Sequence, residues 1–462
     1  MKKHYHLIGI GGVGMGAIAS LLLAKGEKVS GSDLQENSYT TRLRNEGAQI
    51  FLGHRDQNLN GCDCVVYSSA ISAQNPELAA ARHQSIPIFQ RAQILAELMN
   101  PQKGITIAGA HGKTTTSSLI SLLLIQAGLS PTTMVGGIIQ QGSYHANLGS
   151  GKYFVSEVDE SDGSFLYFTP EISIITNIDY EHLDYYHNWD NILKAYASFL
   201  QRTKPGGVVI AWGDDARLRP LVEDFKGEKI FYGRSDNNDI RAQELRTQGN
   251  GSSFTCFFGK RKLGSIQLKI PGVHNILNAM AALGTGLRLS IDFATIKRSL
   301  QNFQGVVRRF QNKGEVHGIL IIDDYGHHPT EIAATLQSAR GLGRKRVIAI
   351  FQPHRYTRTK FLMDDFANVF QDCDYLLLTD IYPASEPSIE GIDAKALLSR
   401  IQNFGSVKAM YCPKEKIVEQ VLGVAQRGDL ILTLGAGDIT KISDELIPAL
   451  TRRGAPKPGV KG

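Results

Sequence analysis

The stretch ITIAGAHGKTTTSSLI, residues 105–120, switches from one pattern to another at its centre. The residues ITIA are β-branched or small, which is typical of a buried strand, and the residues from 113 to about 127 favour a long helix. Gly109 and Gly112 lie between the two patterns. The backbone N–H groups of such a turn and the positive end of the helix dipole favour phosphate oxygens. The stretch therefore predicts a strand, a phosphate-binding loop and a helix.

The turn carries the side chains that a nucleotide phosphate requires. Lys113 can reach the β- and γ-phosphates, and a hydroxyl after it can ligate Mg²⁺. The pattern G-x-x-x-x-G-K-[ST] is incomplete because Ile107 stands where its first glycine would be, and the shorter G-x-H-G-K-T remains. A plain helix cap is the alternative, but the strand before and the helix after favour phosphate binding. The predicted phosphate-binding residues here are Gly109, Ala110, His111, Gly112, Lys113, Thr114 and Thr115.

An acidic run follows the next predicted strand, in FVSEVDESDGSF, residues 154–165. Carboxylates this close together repel one another, so a cation or a phosphate-bound metal is a natural partner. A solvated acidic loop is the alternative, and the position one unit after the phosphate loop favours the metal. The acidic residues of the run are Glu157, Asp159, Glu160 and Asp162.

A histidine lies among further carboxylates in TNIDYEHLDYYHNW, residues 176–189, which also leaves a predicted strand. His182 directly follows Glu181. An isolated histidine is more often structural than a ligand, and Mg²⁺ prefers oxygen donors. We expect His182 to line the site, and its direct ligation of a metal stays open.

A glycine-rich turn near the start of the chain has the spacing of a dinucleotide-binding fingerprint. LIGIGGVGMG, residues 7–16, contains G-x-G-x-x-G, and Asp33 follows at a distance that suits a ribose hydroxyl. A nicotinamide-dependent oxidoreductase would use these groups but would leave the Gly-Lys-Thr loop and the acidic run without a role. We therefore predict a diphosphate site made by Gly11, Gly12, Val13, Gly14 and Asp33, with Ser68, Ser69 and Arg91 as weaker candidates.

A polar edge is predicted on the helix in PGVHNILNAMAALGTGL, residues 271–287. His274 and Asn278 are four residues apart and Asn275 and Asn278 are three apart, so their side chains share one edge. Helix capping by these residues is the alternative interpretation.

Two polar clusters follow predicted strands near the C-terminus. ILIIDDYGHHPTEI, residues 319–332, ends a strand with acidic and histidine side chains, and AIFQPHRYTRTK, residues 349–360, ends the next. Arg355 and Arg358 in the second cluster can grip a carboxylate or a phosphate in bidentate fashion. If the cluster contains a general base, the residues leave its identity open, and His328, Asp324 and a water are all candidates.

The length of 462 residues suggests about three domains, and strands alternate with helices throughout. The polar linker NPQKG, residues 100–104, and the restart of alternation after FQGVVRRFQNKGEV, residues 303–316, place boundaries near 102 and 314. We therefore predict an α/β protein of three consecutive open-sheet domains, 1–102, 103–314 and 315–462. A polar zone at 234–266 predicts antiparallel strands attached to a mainly parallel sheet.

Composition narrows the class of protein. The net charge of +6 is spread along the chain, which argues against a nucleic-acid partner. Five scattered cysteines suit a reducing compartment, and no apolar run has the length of a signal peptide or a membrane span. We expect a cytoplasmic protein without membrane insertion, either a monomer or a homodimer.

Taken together and in this order, GAHGKTTT, SEVDESDGSF, TNIDYEHLDYY, PGVHNILNAMAA, DDYGHHPTE and QPHRYTRTK resemble the Mur ligase family over essentially the whole chain. The resemblance implies a Rossmann-like UDP-binding domain, a P-loop-type ATP-binding domain and a Rossmann-like C-terminal domain. It implies an ATP-dependent amide-forming ligase that joins L-alanine to the carboxylate of UDP-N-acetylmuramate, with Mg²⁺ or Mn²⁺. A related ligase that adds a preformed peptide is the alternative, and GIGGVGMGAIA and DDYGHHPTE favour the alanine enzyme.

The resemblance also assigns roles to single residues. Thr114 and Glu157 would bind the metal beside the phosphates, and His182 would contribute to a second metal near the substrate carboxylate. The helix edge would contact the adenine and ribose, and the glycine turn near the start of the chain would hold the UDP-sugar. Residues with implied catalytic roles are Lys113, Glu157, His182, His328, Arg355 and Arg358.

Overall fold

The computed structural model describes residues 2–68, 70–139, 146–249, 251–405 and 407–454. It contains three open sheets with helices between their strands, which confirms the predicted α/β class. By packing, the chain forms two compact units. The first comprises 1–242, 256–264 and 277–300, and the second comprises 243–255, 265–276 and 301–462.

The first sheet is parallel throughout, in the order β3-β2-β1-β4-β5. Its strands are β1 (His4–Ile8), β2 (Lys28–Asp33), β3 (Gln49–Leu52), β4 (Cys64–Tyr67) and β5 (Ile88–Gln90). Its helices are α1 (Val13–Ala24), α2 (Ser38–Asn45), α3 (Pro76–His83) and α4 (Arg91–Met99). This strand order is that of dinucleotide-binding folds, in which ligands bind outside the carboxyl ends of the strands.

The second sheet has ten strands, in the order β15-β14-β13-β12-β11-β10-β6-β9-β7-β8. They are β6 (Lys103–Ala108), β7 (Thr132–Met134), β8 (Ala146–Asn147), β9 (Tyr153–Glu157), β10 (Ile172–Ile175), β11 (Val208–Trp212), β12 (Glu228–Gly233), β13 (Ile240–Gln248), β14 (Gly251–Phe258) and β15 (Arg261–Leu268). The helices of this region are α5 (Lys113–Gln126), α6 (Leu183–Tyr186), α7 (Trp189–Leu200), α8 (Leu218–Glu223), α9 (Val273–Arg288) and α10 (Phe293–Asn302). Central β6 is parallel to β9 and β10, so the loops after these three strands meet at one edge.

The third sheet has the order β16-β17-β21-β18-β19-β20 and is parallel except at its β16 edge. Its strands are β16 (Gln311–Val316), β17 (Ile319–Asp324), β18 (Arg346–Phe351), β19 (Tyr375–Leu378), β20 (Lys408–Tyr411) and β21 (Asp429–Leu434). Its helices are α11 (Pro329–Gly341), α12 (Tyr356–Phe361), α13 (Met363–Asn368), α14 (Ala394–Phe404), α15 (Ile417–Val424) and α16 (Thr440–Arg453). Short 3₁₀ helices lie at Asp56–Leu59, Ser164–Tyr167, Val369–Asp372 and Lys414–Lys416.

Within the first unit, a continuous apolar core joins the first two sheets. Leu95 and Met99 of α4 belong to the same buried cluster as Phe165 and Phe168, which precede β10. Polar contacts reinforce this junction, because Lys204 donates to the carbonyl of Asn100 at 2.6 Å. The glycine turn of the first sheet and the phosphate loop of the second therefore belong to one packed body. Along the described stretches, no helix combines the length and hydropathy needed to cross a membrane.

Strand β2 approaches its neighbour so closely that it requires a glycine. Gly31 lies opposite Leu7 of β1, and a Cβ atom built on it would lie 2.5 Å from the Leu7 carbonyl oxygen and 2.6 Å from the Ile10 side chain. The obstacle includes backbone, so it cannot be removed by a change of rotamer.

We predict that Gly31→Ala lowers the free energy of unfolding by about 1–3 kcal/mol through overpacking. Thermal unfolding followed by circular dichroism measures the change. Gly423→Ala is the matched control, since nothing lies within 4 Å of its Cβ position in α15. Alanine there is expected to raise stability by about 0.5–1 kcal/mol. Equal melting temperatures for Gly31→Ala and the unsubstituted protein would contradict the prediction.

Candidate active site

The phosphate loop between β6 and α5 has a conformation that depends on its two glycines. Gly109 has a φ of +127° and Gly112 a φ of +82°. A Cβ atom on Gly109 would lie 2.2 Å from Thr176 Oγ1, and one on Gly112 would lie 2.5 Å from Asn278 Oδ1. The loop is therefore pressed against the ends of β10 and α9, which brings its backbone N–H groups to the carboxyl edge of the sheet.

The segment that follows β10 fastens this loop through His111. The His111 N–H donates to Asn177 Oδ1 at 2.9 Å, and the Asn177 amide donates to the His111 carbonyl at 3.0 Å. Thr176 Oγ1 donates to the same carbonyl at 2.6 Å, and His111 Nε2 lies 2.9 Å from Asp179 Oδ2. These bonds fix the loop by contacts within the chain, so binding a phosphate there requires little further ordering.

Lys113 lies at the mouth of the loop and is held by oxygen atoms. Its Nζ donates to Glu160 Oε1 at 2.6 Å and to the Ala110 carbonyl at 3.3 Å, and it also bonds the Gly109 carbonyl. Burial lowers the pKa of Lys113, but the carboxylates of Glu160 and Asp159 outweigh burial and leave this pKa raised. The loop thus presents a permanent positive charge where phosphate oxygens are expected.

Glu157 ends β9 beside the first turn of α5. It accepts hydrogen bonds from Thr114 Oγ1 at 3.1 Å, from Ser117 Oγ at 2.8 Å and from the Gly136 N–H at 2.6 Å. A carboxylate beside a threonine hydroxyl at the start of a phosphate-loop helix is a donor set that suits Mg²⁺. The structure therefore brings together the predicted metal residues Thr114 and Glu157.

Glu160, one of the four carboxylates of the predicted acidic run, connects Lys113 to His182, a role that the sequence did not assign to it. Its Oε1 lies 3.7 Å from His182 Nε2, and its Oε2 is buried with no hydrogen-bond partner in the described part of the chain. Burial lowers the pKa of His182, but Glu160 and Glu181 outweigh burial and raise it. A carboxylate oxygen left unsatisfied in a buried site fits a cation, whereas a protonated imidazole cannot ligate one.

The glycine turn of the first sheet presents the start of α1 to solvent. Gly12 and Val13 are exposed, and the Gly11 N–H donates to Asp33 Oδ2 at 2.8 Å. A Cβ atom on Gly14 would lie 2.8 Å from Arg91 Nη1, which places the guanidinium against the first turn of the helix. An accessible helix N-terminus beside an arginine suits a diphosphate. Ser68 follows β4 and is half-buried, and the predicted Ser69 lies outside the described residues.

A buried carboxylate lies between the end of β2 and the loop after β3. Glu77 of α3 is fully buried and accepts from Ser32 Oγ at 2.5 Å and from Asn58 Nδ2 at 2.6 Å, with His54 Nδ1 at 3.4 Å and His6 Nε2 at 3.5 Å. Burial raises the pKa of Glu77, but these donors outweigh burial and lower it to about 2. The ionised group therefore ties the loop after β3 to the end of β2.

In the second unit, aromatic side chains form a column across the carboxyl edge of the third sheet. The ring of His327 lies 5.4 Å from that of Tyr325 and 5.6 Å from that of His354, and His354 stacks on Tyr382 at 5.6 Å. Burial and the neighbouring cations lower the pKa of His354 to about 3, so this ring is neutral at physiological pH. Arg358 Nη1 donates to His354 Nδ1 at 3.2 Å, which orients the guanidinium along the column.

Two of the candidate bases, Asp324 and His328, accept hydrogen bonds from backbone N–H groups. Asp324 accepts from the N–H groups of Phe310 and Gly326 at 2.6 and 2.7 Å, and burial raises its pKa to about 6. His328 caps α11, where its Nδ1 accepts from the Thr330 N–H at 3.3 Å. An Nδ1 that accepts leaves the proton of a neutral ring on Nε2, so His328 is built as a hydrogen-bond donor.

Two arginines that precede β16 lie beside Tyr325 and were not among the predicted site residues. The guanidinium carbons of Arg308 and Arg309 lie 4.8 and 4.9 Å from the centre of the Tyr325 ring. Arg308 has a φ of +62° and donates to the Gly435 carbonyl at 2.7 Å. The available signal was the pair RR at 308–309, within the stretch that placed the predicted boundary near 314.

The polar edge predicted on α9 divides between the two units. In the second unit, Asn275 Nδ2 donates to the Pro271 carbonyl at 2.6 Å, and burial lowers the pKa of His274 to about 4. In the first unit, Asn278 Oδ1 accepts from Thr116 Oγ1 at 3.2 Å and lies beside Gly112. Asn278 is therefore part of the phosphate loop's surroundings.

Comparison with known families covers most of the chain. Residues 4–103 match the model described as Mur ligase family, catalytic domain, and residues 107–286 match the Mur ligase middle domain. Residues 308–437 match the model described as Mur ligase, glutamate ligase domain.

Individual relatives agree with this result. The UDP-N-acetylmuramate–L-alanine ligase of Geotalea daltonii is 44% identical over 97% of this chain and 98% of its own length, and that of Desulfatibacillum aliphaticivorans is 43% identical over 96% and 98%. The crystal structure of the UDP-N-acetylmuramate-alanine ligase of Thermotoga maritima superposes with a TM-score of 0.82, at 27% identity, over 97% and 99% of the two chains. A murein peptide ligase of Psychrobacter arcticus gives a TM-score of 0.71 at 25% identity, over 97% and 99%.

We predict that Glu160→Gln lowers the pKa of His182, because Glu160 is one of the carboxylates that raise it. An NMR titration of protein with ¹³C-labelled histidine measures this pKa directly. Glu171→Gln is the control, since Glu171 pairs with Lys103 at the amino ends of β10 and β6, whereas the candidate site lies at their carboxyl ends. An unchanged His182 pKa in Glu160→Gln would show that the two side chains are not coupled.

Proposed function

Because this chain belongs to the Mur ligase family, we propose that it joins L-alanine to the carboxylate of UDP-N-acetylmuramate in an ATP-dependent step of peptidoglycan precursor synthesis. The relatives that share its full length carry this activity in their names. The peptide-adding alternative is less well supported, since the murein peptide ligase structure has the lower TM-score and identity. The dehydrogenase alternative is not adopted, because the first glycine turn lies within a Mur ligase domain.

The proposed chemistry needs positive charge, because an anionic carboxylate must approach an anionic triphosphate. The substrate carboxylate attacks the γ-phosphorus and becomes an acyl phosphate, and ADP leaves. The amine of L-alanine then attacks the acyl carbon, loses a proton and displaces phosphate. Lys113 lies where it can neutralise charge on the transferring phosphoryl group, and the helix N-terminus of α5 supplies N–H donors to the other oxygens.

For the metal we propose Mg²⁺, which Mn²⁺ can replace, held by Thr114 and Glu157 at the first turn of α5. A bound Mg²⁺ would neutralise phosphate charge and hold the reacting oxygens together. The unsatisfied oxygen of Glu160 supports a second cation position beside His182. Metal binding requires a neutral imidazole, so the raised pKa of His182 opposes direct ligation of that cation, and we assign His182 first as a positioning group for Glu160.

We propose a division of the ligands among the three sheets. Residues 1–102 take the UDP-sugar at the glycine turn and Arg91, residues 103–314 take ATP at the phosphate loop, and residues 315–462 take the amino acid. Arg355 and Arg358 at the end of β18 would bind the L-alanine carboxylate. We place the reaction in the cytoplasm, which the five free cysteines support.

The single observation that carries the proposal is the convergence of Lys113, Thr114, Glu157 and Glu160 on one loop. The test is phosphate release by the purified protein with ATP, Mg²⁺ and UDP-N-acetylmuramate against L-alanine, glycine, L-serine and a muropeptide-type tripeptide. We expect turnover that depends on L-alanine. Turnover with the tripeptide and not with L-alanine would favour the peptide-adding alternative. Quenching of NADH fluorescence on addition of the protein, without phosphate release, would favour the dehydrogenase alternative.

We predict that Lys113→Ala lowers the rate of L-alanine-dependent phosphate release by about 10²–10³-fold, since it removes a preorganised charge at the transferring group. Titration calorimetry should show UDP-N-acetylmuramate binding within about twofold of normal, a change of less than 0.5 kcal/mol. Lys152→Ala, an exposed lysine before β9, is the control. Joint loss of phosphate release and UDP-sugar binding in Lys113→Ala would refute the division of ligands between the sheets.

A further inference from the structure

The segment that follows β19 returns to the start of α12 through a strained turn. Ala384 has a φ of +47° and Ser385 a φ of +70°, a region that residues with a side chain rarely adopt. The Glu386 N–H closes the turn by donating to the Pro383 carbonyl at 2.9 Å. Strain of this kind persists where surrounding contacts hold it, and it concentrates at functional sites. Glu386 is the last residue of this turn.

Glu386 contacts two residues of the HRYT segment that begins α12. Its two carboxylate oxygens accept from the Thr357 N–H at 3.0 Å and from Thr357 Oγ1 at 2.7 Å. Its Oε1 also lies 3.6 Å from Arg355 Nε. The same carboxylate therefore caps the short helix and pairs with the arginine that precedes it.

Arg355 itself is held in an unusual backbone conformation. Its φ is +71°, and its N–H donates to the Tyr382 carbonyl at 2.9 Å. Residues 382 to 386 thus fix this arginine twice, at its backbone through Tyr382 and at its guanidinium through Glu386. No other ion pair or hydrogen bond of the guanidinium occurs among the residues that the structure describes.

We propose that Glu386 is a positioning residue of the amino-acid site, which holds Arg355 by the Nε edge so that its two Nη groups face the carboxylate of L-alanine. This inference rests on the proposed function, because it takes Arg355 as the carboxylate-binding residue. A guanidinium has two edges that can bind an anion, and Glu386 occupies the one that includes Nε. The outer edge then keeps one orientation, which reduces the ordering that substrate binding requires.

The test is a double-substitution cycle on the full-length protein. Glu386→Gln keeps the shape and an acceptor for Thr357 but removes the charge that holds Arg355. We expect it to raise the KM for L-alanine about tenfold, with the KM values for ATP and UDP-N-acetylmuramate within about twofold. In an Arg355→Ala background the same change should alter kcat/KM for L-alanine by less than about twofold, because a residue that acts through another has no effect without it.

Two further variants keep the test decisive. Glu386→Asp retains the charge on a shorter side chain and should give an intermediate KM, and it replaces Glu386→Gln if that variant does not fold. Glu315→Gln is the matched control. Glu315 lies on β16, away from this edge of the sheet, and pairs with Arg344, so the kinetics of this variant should equal those of the unsubstituted protein.

The outcomes separate the possible roles. An equal effect of Glu386→Gln with and without Arg355, or a parallel rise in all three KM values, would overturn the positioning role. If the unsubstituted protein shows no L-alanine-dependent phosphate release, the proposed function fails and this inference fails with it. Full activity of the unsubstituted protein with an unchanged KM for Glu386→Gln overturns the inference alone.

Discussion

The ion pair between Lys113 and Glu160 organises the acidic side of the phosphate loop. Two partly enclosed charges are tolerated because each compensates the other, and removal of either would leave the other with a large desolvation penalty. The same carboxylate oxygen of Glu160 also lies near His182 Nε2. Burial raises the pKa of Asp159, but Lys113, Ser161 and Arg91 outweigh it and lower this pKa. Positive side chains from the first two sheets therefore share one acidic segment.

This arrangement suits a reaction between anions. The loop holds Lys113 by its own carbonyls and by Glu160, so a triphosphate bound there, as proposed, would replace one set of oxygen ligands of Lys113 with another. The glycines are needed because side chains at those points would collide with Thr176 and Asn278. Arginines at the carboxyl edge of the third sheet are also held by neighbouring side chains. A neutral His354 accepts from Arg358, and Glu386 pairs with Arg355. In each case a neighbouring side chain restricts the orientation of the cation.

The sequence predicted the strands that are buried on both faces. β6, β17 and β18 are short, largely apolar runs, and each contains the apolar residues that the sequence assigned to a strand, at 105–108, 319–322 and 349–351. β3, β5, β16 and β20 were missed, because edge strands of three to six residues carry mixed burial and no clear alternation. These segments are strands because they pair with a neighbouring strand, and their own residues show only a weak preference for this conformation.

The sequence by itself determined the fold class, the phosphate loop and the residue types at the carboxyl ends of the strands. These features are local, because a strand, a glycine turn and a helix start are encoded within a few residues of one another. The family resemblance had already placed Thr114 with Glu157, but tertiary structure alone decided which acidic residue meets Lys113, since that contact spans more than forty residues. It also gave His328 a capping role, brought Arg308 and Arg309 to Tyr325 and turned Glu386 toward Arg355. The direction of a side chain depends on packing across neighbouring strands, and one chain read in order does not contain that information.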